Sequence, residues 1–358
     1  MKSRVVQLLE RVPWAGSALM LIILLLALTV AVDLYDSVVV ERILTNLFIS
    51  VVLVVGLQSF TGNSGLVSFG HISFMGIGAY ASVLLIMSPA QKAYTLPYLT
   101  GLLAQIELPF IAGILLAALF VAVLAAVIGF PLMRLSGSAA TMATFALLII
   151  THIVLRNAET YTRGTRTMYG LQSYTTLWMS ALWAIIVIIG GFAFKESRVG
   201  LMLRASREQE EAASASGVNV VIVRWVAFTV SAFISALGGA LWAYFITSFS
   251  PEVMYMRTTF LTVAMLIVGG MGSVSGALVG VVALTGLFEA LRAIEIWITT
   301  LRMAKTAAGF TEVWLGVGMI LALVLRPLGL TMGQEVRLPA RLRGWLEAGT
   351  MQSEDKRG

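Results

Sequence analysis

The chain has no cysteine, two histidines and few charges, and each scarcity removes a class of function. Without cysteine there are no disulfides and no thiolate metal sites. His71 and His152 stand far apart in sequence, with no HExxH motif and no carboxylate-rich cluster, so nothing reads as a metalloenzyme site. No GxxxxGK[ST] occurs anywhere, so the chain lacks the loop and lysine with which P-loop proteins hold nucleotide. Charged residues make up 12% of 358, whereas a soluble domain carries about 25%. The net charge of +6 has the form of scattered loop arginines, which gives no footprint for nucleic acid.

What is abundant is apolar sequence, at 59% of residues and a mean hydropathy of +0.93. A helix needs about 20 mainly apolar residues to cross the hydrocarbon core. By that measure the fold class is all-α, a polytopic helical membrane protein of about ten transmembrane helices with glycine-broken segments. The spans fall near 17–35, 42–60, 68–88, 109–133, 138–155, 177–194, 223–247, 258–271, 275–298 and 309–326. The segment 258–271 is short and 68–88 is interrupted by glycine. With both termini cytoplasmic, the inner segments hold 15 of the 24 basic residues, the arrangement the positive-inside rule favours. Arg163, Arg166, Arg302 and Lys305 then lie outside. Lys2, Arg4 and Arg11 before an apolar run have the look of a secretory signal, but the run is long and another span follows closely, as for an uncleaved first helix.

Glycine clusters twice. Gly62, Gly65, Gly70, Gly76 and Gly78 fall in TGNSGLVSFGHISFMGIGAY, and Gly269, Gly270, Gly272, Gly276 and Gly280 in LIVGGMGSVSGALVG. Such density either lets helices approach closely or breaks a helix at membrane depth. Gly76 and Gly280 fit close packing. Around Gly62–Gly70 and Gly269–Gly276 the companions are Asn63, Ser64, Ser68, Ser273 and Ser275, so broken helices lining a solute path, inner gates or tight turns all remain open. Asn63, Ser68, His71 and Ser273 are the candidate path or gate residues.

The one long polar segment between spans is RVGLMLRASREQEEAASASG, Arg198 to Gly217. A charged helix in a loop between membrane spans has no core of its own, and its expected use is contact with another protein. The alternative is a solvated charged helix.

SGLVSFGHISFMGIGAYASVLL (Ser64–Leu85), FPLMRLSG (Phe130–Gly137), the run Ser197–Phe245, VGGMGSVSGALVGV (Val268–Val281) and RPLGL (Arg326–Leu330) together resemble the inner-membrane permease subunits of branched-chain amino-acid ABC importers, of the LivM type. The resemblance implies a permease domain over 1–330, with a cytoplasmic coupling loop at 195–222, and a cytoplasmic tail over 331–358. It implies four kinds of partner: a homologous second permease, two cytoplasmic ATPase subunits, a periplasmic solute-binding protein and membrane lipid, the last also met by the tail through its arginines and Trp345. ATP and Mg would be bound by the ATPases, leaving no cofactor in this chain. Glu211, Ala212, Ala213 and Gly217 match the Glu-Ala-Ala…Gly pattern of the helix that such permeases seat on their ATPases. Arg204, Arg207, Glu208 and Glu210 would flank it as rim contacts, and Gly217 would end it in a left-handed conformation. Arg204, Glu208, Glu211, Ala212, Ala213 and Gly217 are thus the coupling set.

The chain also departs from that family. Ile149 stands where a glutamate is usual, and TRGTRTMYGL keeps Thr165 and Gly170 but has Arg166 and Thr167 in place of glycines. A lost acid and gained arginines widen the solute beyond branched-chain amino acids to urea, amides and organic acids. Arg163 and Arg166 would attract an anionic solute, dock an acidic face of the binding protein or stay solvated. The rival reading is a secondary transporter driven by an ion gradient. Its clearest deep acid is Glu289, three residues from Arg292 and within reach of pairing with it.

Overall fold

The computed structural model describes residues 14–300, 309–326 and 328–336, without the side chains of 299, 300 and 323. The basic residues placed at Lys2, Arg4, Arg11, Arg302, Lys305 and Arg337–Arg357, and Trp345, lie outside the described residues. Twelve helices organise the fold: α1 (Ala15–Tyr35), α2 (Val38–Leu57), α3 (His71–Ile86), α4 (Phe110–Leu132), α5 (Gly137–Asn157), α6 (Leu177–Glu196), α7 (Arg198–Glu208), α8 (Glu210–Ala215), α9 (Val220–Ile246), α10 (Met256–Gly269), α11 (Val274–Thr300) and α12 (Phe310–Leu325). Among the described residues the only β pairing is a single bridge between Met168 and Phe249.

Among the described residues eight helices are long and apolar enough to cross a membrane, and two shorter apolar ones, His71–Ile86 and Phe310–Ala322, bring the number to the ten expected. The helices run alternately between two ends. At one end Lys195 reaches Glu335, Arg207 reaches Gly62, and Trp14 stacks on Phe192 at 5.9 Å. At the other, Met168 bridges Phe249, His152 Nε2 lies 3.6 Å from Glu252, and Arg257 Nη2 donates to Glu312 at 2.9 Å. The segment at 258–271 gains its missing length from a 3₁₀ turn, Pro251–Met254, just ahead of α10.

The centre is α9, packed against α2, α3, α4, α7 and α8. Lipid tails are as apolar as leucine, so helices in a bilayer associate through close fit rather than the hydrophobic effect. Glycine provides the fit. A Cβ at Gly239 of α9 would sit 2.0 Å from Met75 O on α3, and one at Gly78 of α3 would sit 2.5 Å from Ala236 O on α9. Across the other pair, a Cβ at Gly280 of α11 would meet Met265 O of α10 at 1.8 Å. Gly280 is a packing glycine, as its sequence setting suggests; Gly76 meets only side chains, Leu155 and Met254. Helix α3 needs no full membrane length because 12 of its 16 residues are buried among its neighbours.

At the end away from α7 and α8 the connections fold back on themselves. Lys92, 1% exposed, donates to the carbonyls of Leu103 and Ile106, which ties the turn Pro89–Thr95 to Leu102–Gln105. Burial lowers its ammonium below the usual lysine range, with Glu107 opposing. His152 is structural in this setting: its ring stacks on Tyr255 at 3.9 Å beside Glu252. Glu289 is half-buried on α11, and among the described residues no ion pair joins it to Arg292; that expected pairing is not formed.

Candidate functional site: coupling loop and glycine junction

The polar segment Arg198–Gly217 is two helices rather than one. Ser197 caps α7 by accepting from Gly200 N at 3.2 Å, and the chain then breaks at Gln209, whose φ of −155° and ψ of 106° are extended. Helix α8 follows at once and ends as its glycine foretells. Gly217 has φ +86°, Val218 N donates to Ala213 O at 3.1 Å and Gly217 N to Ser214 O at 3.0 Å. That pair of bonds is a Schellman closure, which satisfies the last carbonyls of the helix and favours glycine at its left-handed position.

The side chains divide by direction. Glu208, Glu211 and Ala212 are exposed, whereas Ala213 is turned inward at 6% exposure. Arg204 is held within the loop, its Nη2 donating to Lys195 O and Glu196 Oε1, both at 3.3 Å. Two residues expected at the rim are tied into the bundle. Glu210 takes a two-pronged pair from Arg224 of α9, at 3.1 and 2.7 Å, which anchors α8 on the first turn of α9. Arg207 donates from Nη1 to Gly62 O at 2.7 Å, across 145 positions of sequence.

Gly62 opens the first glycine turn. Helix α2 ends in a π turn, Gln58–Gly62, and irregular chain follows to Gly70, with Gly65 at φ +74°. π turns are rare and cluster at functional positions because the extra residue leaves the register locally adjustable. Asn63 is buried, its Nδ2 donating to Ser59 O at 3.0 Å. Ser68 Oγ and His71 Nδ1 share a 2.8 Å hydrogen bond. The His71 ring sits among Phe60, Phe228 and Phe74, at centroid distances of 5.6, 5.5 and 6.1 Å. Several buried atoms here make no hydrogen bond among the described residues: both amide atoms of Gln58, Thr61 Oγ1, Asn63 Oδ1 and His71 Nε2. Gln58 and Thr61 were not singled out from sequence, although their spacing from Asn63 at the end of an apolar span is the signal that would have found them.

The second glycine turn joins α10 to α11. It is wrapped by the chain from Leu328 to Val336, so Thr331–Val336 is woven into the bundle rather than trailing from it as a tail. Leu330 N donates to Val268 O at 2.8 Å and Thr331 N to Gly269 O at 3.1 Å. Ser273 Oγ pairs with Thr331 Oγ1 at 3.2 Å and accepts from Gly276 N at 2.9 Å. Glu335 caps α11: Oε1 accepts from Val274 N at 2.9 Å and from Lys195 Nζ at 2.5 Å, and Oε2 from Ser275 N at 3.0 Å and Ser275 Oγ at 2.6 Å. A carboxylate there satisfies the free amides at a helix N-terminus and meets the positive end of its dipole. Sequence offers no sign of Glu335, because its partners lie 60 and 140 residues away.

The two turns touch. A Cβ at Gly62 would stand 2.2 Å from Met271 O. Asn63, Ser68 and His71 thus gather at the first turn, and Ser273 belongs to the second, across that seam.

Residues 39–325 match the profile of the family described as branched-chain amino acid transport system / permease component. The chain belongs to that family. It is 26% identical over 345 residues to the high-affinity branched-chain amino acid transport system permease protein LivM of Escherichia coli (strain K12), covering 86% of this chain and 74% of that protein. Against the LivM protein of Salmonella typhimurium (strain LT2) it is 25% identical over 322 residues, covering 80% of this chain and 69% of that protein. No solved structure matches it. This permease is a multi-pass transport protein of the membrane, with eight helices among the described residues that are long and apolar enough to cross it.

Proposed function

We propose that this permease is the transmembrane subunit of an ATP-binding-cassette importer. It carries branched-chain amino acids, or a related small polar or organic-acid solute, into the cytoplasm, and separate ATPase subunits drive it by docking on Arg198–Gly217. The observation that carries the reading is the form of α8: a short helix anchored at Glu210, closed at Gly217, and presenting Glu211 and Ala212 outward beside the exposed Glu208 at the end of α7. Small and acidic side chains on a rigidly held helix suit close docking into a groove. The end that carries α7 and α8 is then the cytoplasmic one, and both termini share it in the bacterial inner membrane.

The partners in this reading are a homologous second permease, two ATPases that hold ATP and Mg, and a periplasmic solute-binding protein. The chain itself hydrolyses nothing. Closure of the ATPase pair moves α7 and α8, and the bundle exchanges between inward-open and outward-open packings, with a free-energy difference supplied by ATP. Asn63, Ser68 and His71 lie on the first turn and Ser273 on the second, on either side of the seam that must open, and the Gln58, Thr61 and His71 atoms unbonded among the described residues give a passing solute hydrogen-bonding groups.

The test is affinity purification of the C-terminally tagged chain from its native membrane in mild detergent, with mass spectrometry of what accompanies it. An ATPase pair and a second permease are expected, and both should be lost when Glu211–Gly217 is replaced. Recovery of the chain alone would return the ion-gradient carrier, with Glu289 as its first residue to mutate.

A further inference from the structure

We propose that Arg207 is the pin that transmits movement of the coupling helices to the glycine junction. The proposal rests on the importer reading above and names the residue through which that importer would be driven. Helix α7 carries three arginines, Arg198, Arg204 and Arg207, and they differ in reach. Arg198 is exposed at the first turn, and Arg204 bonds only to Lys195 and Glu196, at the end of the preceding helix. Among the described residues, Arg207 alone of the three bonds across to the glycine junction. Its Nη1 donates to Gly62 O at 2.7 Å, a charge-assisted bond to the end of the π turn.

The rest of the side chain is fitted to the same place. A Cβ at Gly65 would lie 2.8 Å from Arg207 Cγ, so the stem passes over a residue that has no side chain and sits at φ +74°. A Cβ at Gly272 would lie 3.8 Å from Arg207 Nη1, and one at Gly62 would lie 2.2 Å from Met271 O. One guanidinium therefore stands against both glycine turns where they meet. The second turn is fixed by Glu335, Thr331 and Lys195, while the first leaves a π turn and several unbonded polar atoms beside it. A push on α7 reaches the yielding side of the seam through Arg207 and is braced by the other. Helix α7 also packs on α6 and α9, but among the described residues Arg207 is the arginine of α7 that bonds the glycine junction.

The pin is tested in the assembled transporter in proteoliposomes, by solute molecules taken up per ATP hydrolysed. Arg207→Ala is expected to lower that ratio at least tenfold while still co-purifying with the ATPases. Arg207→Gln keeps a stem over Gly65 but falls short of Gly62, and should lower it as far; Arg207→Lys, which retains a donor of sufficient length, should recover part of the loss. A native ratio in Arg207→Ala, or in Arg207→Gln should the alanine variant fail to fold, would overturn the pin. So would loss of the ATPases from an otherwise folded Arg207→Ala permease, which would make Arg207 a docking residue instead. If the unaltered chain brings down no ATPase, the importer reading itself fails and the pin with it, an outcome separated from the others because it needs no variant.

Discussion

The two glycine turns look alike in sequence and differ in how their polar groups are satisfied. Around Gly269–Gly276 the buried ends of α10 and α11 are bonded by Glu335, Thr331, Ser273 and Lys195, and among the described residues none of its side-chain polar atoms is buried without a partner. Around Gly62–Gly70 the buried groups of Gln58, Thr61, Asn63 and His71 are left partly or wholly unbonded. A buried amide or hydroxyl without a partner costs about 1–3 kcal/mol in mutational data. On the importer reading proposed above, such groups serve another state or a passing ligand, with the second turn as the brace and the first as the moving part.

The strongest way to break the comparison is to crowd the brace. Gly280→Val places side-chain atoms where Met265 O already stands 1.8 Å from the position of a Cβ, and the obstacle is backbone, which has no rotamer to yield. Overpacking a core costs about 1–3 kcal/mol, and this site offers less relief than most. The expected result is loss of the folded permease, read as aggregation in size-exclusion chromatography in detergent.

Next in size is Glu335→Gln. The change removes the charge opposite Lys195, whose side chain is 7% exposed, and weakens the cap on α11. Breaking a buried pair while leaving one charge uncompensated costs about 3–5 kcal/mol, and the bond that Lys195 keeps to Gly272 O puts this case at the lower end. A clear fall in Tm is expected. Replacing both partners, Lys195→Met with Glu335→Gln, should recover part of it, because no ammonium is then stranded.

The first turn should answer in the opposite direction. Gln58→Met keeps nearly the same volume and removes an amide that, among the described residues, has no partner at either atom. Stability should rise by about 1 kcal/mol, while uptake falls as the solute loses a polar group on its path. A fall in Tm would show that Gln58 is satisfied in the resting protein, and the contrast between the turns would collapse.

Sequence carried the apolar framework and the ends of helices, but not what holds them together. The ten spans are written in continuous apolar runs, and Gly217 is readable because a helix that stops after small residues needs a left-handed position. The break at Gln209 was not readable: REQEEA contains no glycine or proline, and what sets α8 at an angle to α7 is the pull of Arg224 on Glu210. Sequence likewise marked Arg207 and Glu210 as outward contacts, since charges in a loop look solvated until the partner 145 or 14 positions away is placed beside them. Ser273 shows the same limit: it shares a glycine-serine signature with Ser68, yet one belongs to a helix cap and the other to a histidine pair.

The smallest expected effect on the Tm of the spans lies at Gly217. A Cβ there would meet nothing within 4 Å, so Gly217→Ala is not a packing change. The cost is conformational, about 1–2 kcal/mol for holding an L-residue at positive φ, and it falls on the Schellman closure alone. Because α8 touches the bundle mainly through Glu210 and Ala213, that cost should loosen the end of the helix without lowering the Tm of the spans. Hydrogen exchange should quicken at Ser216–Val218, and affinity for the ATPases should drop about tenfold, the equivalent of some 1.4 kcal/mol. A Tm shift as large as that of Glu335→Gln would mean that α8 is part of the brace rather than a surface carried on it.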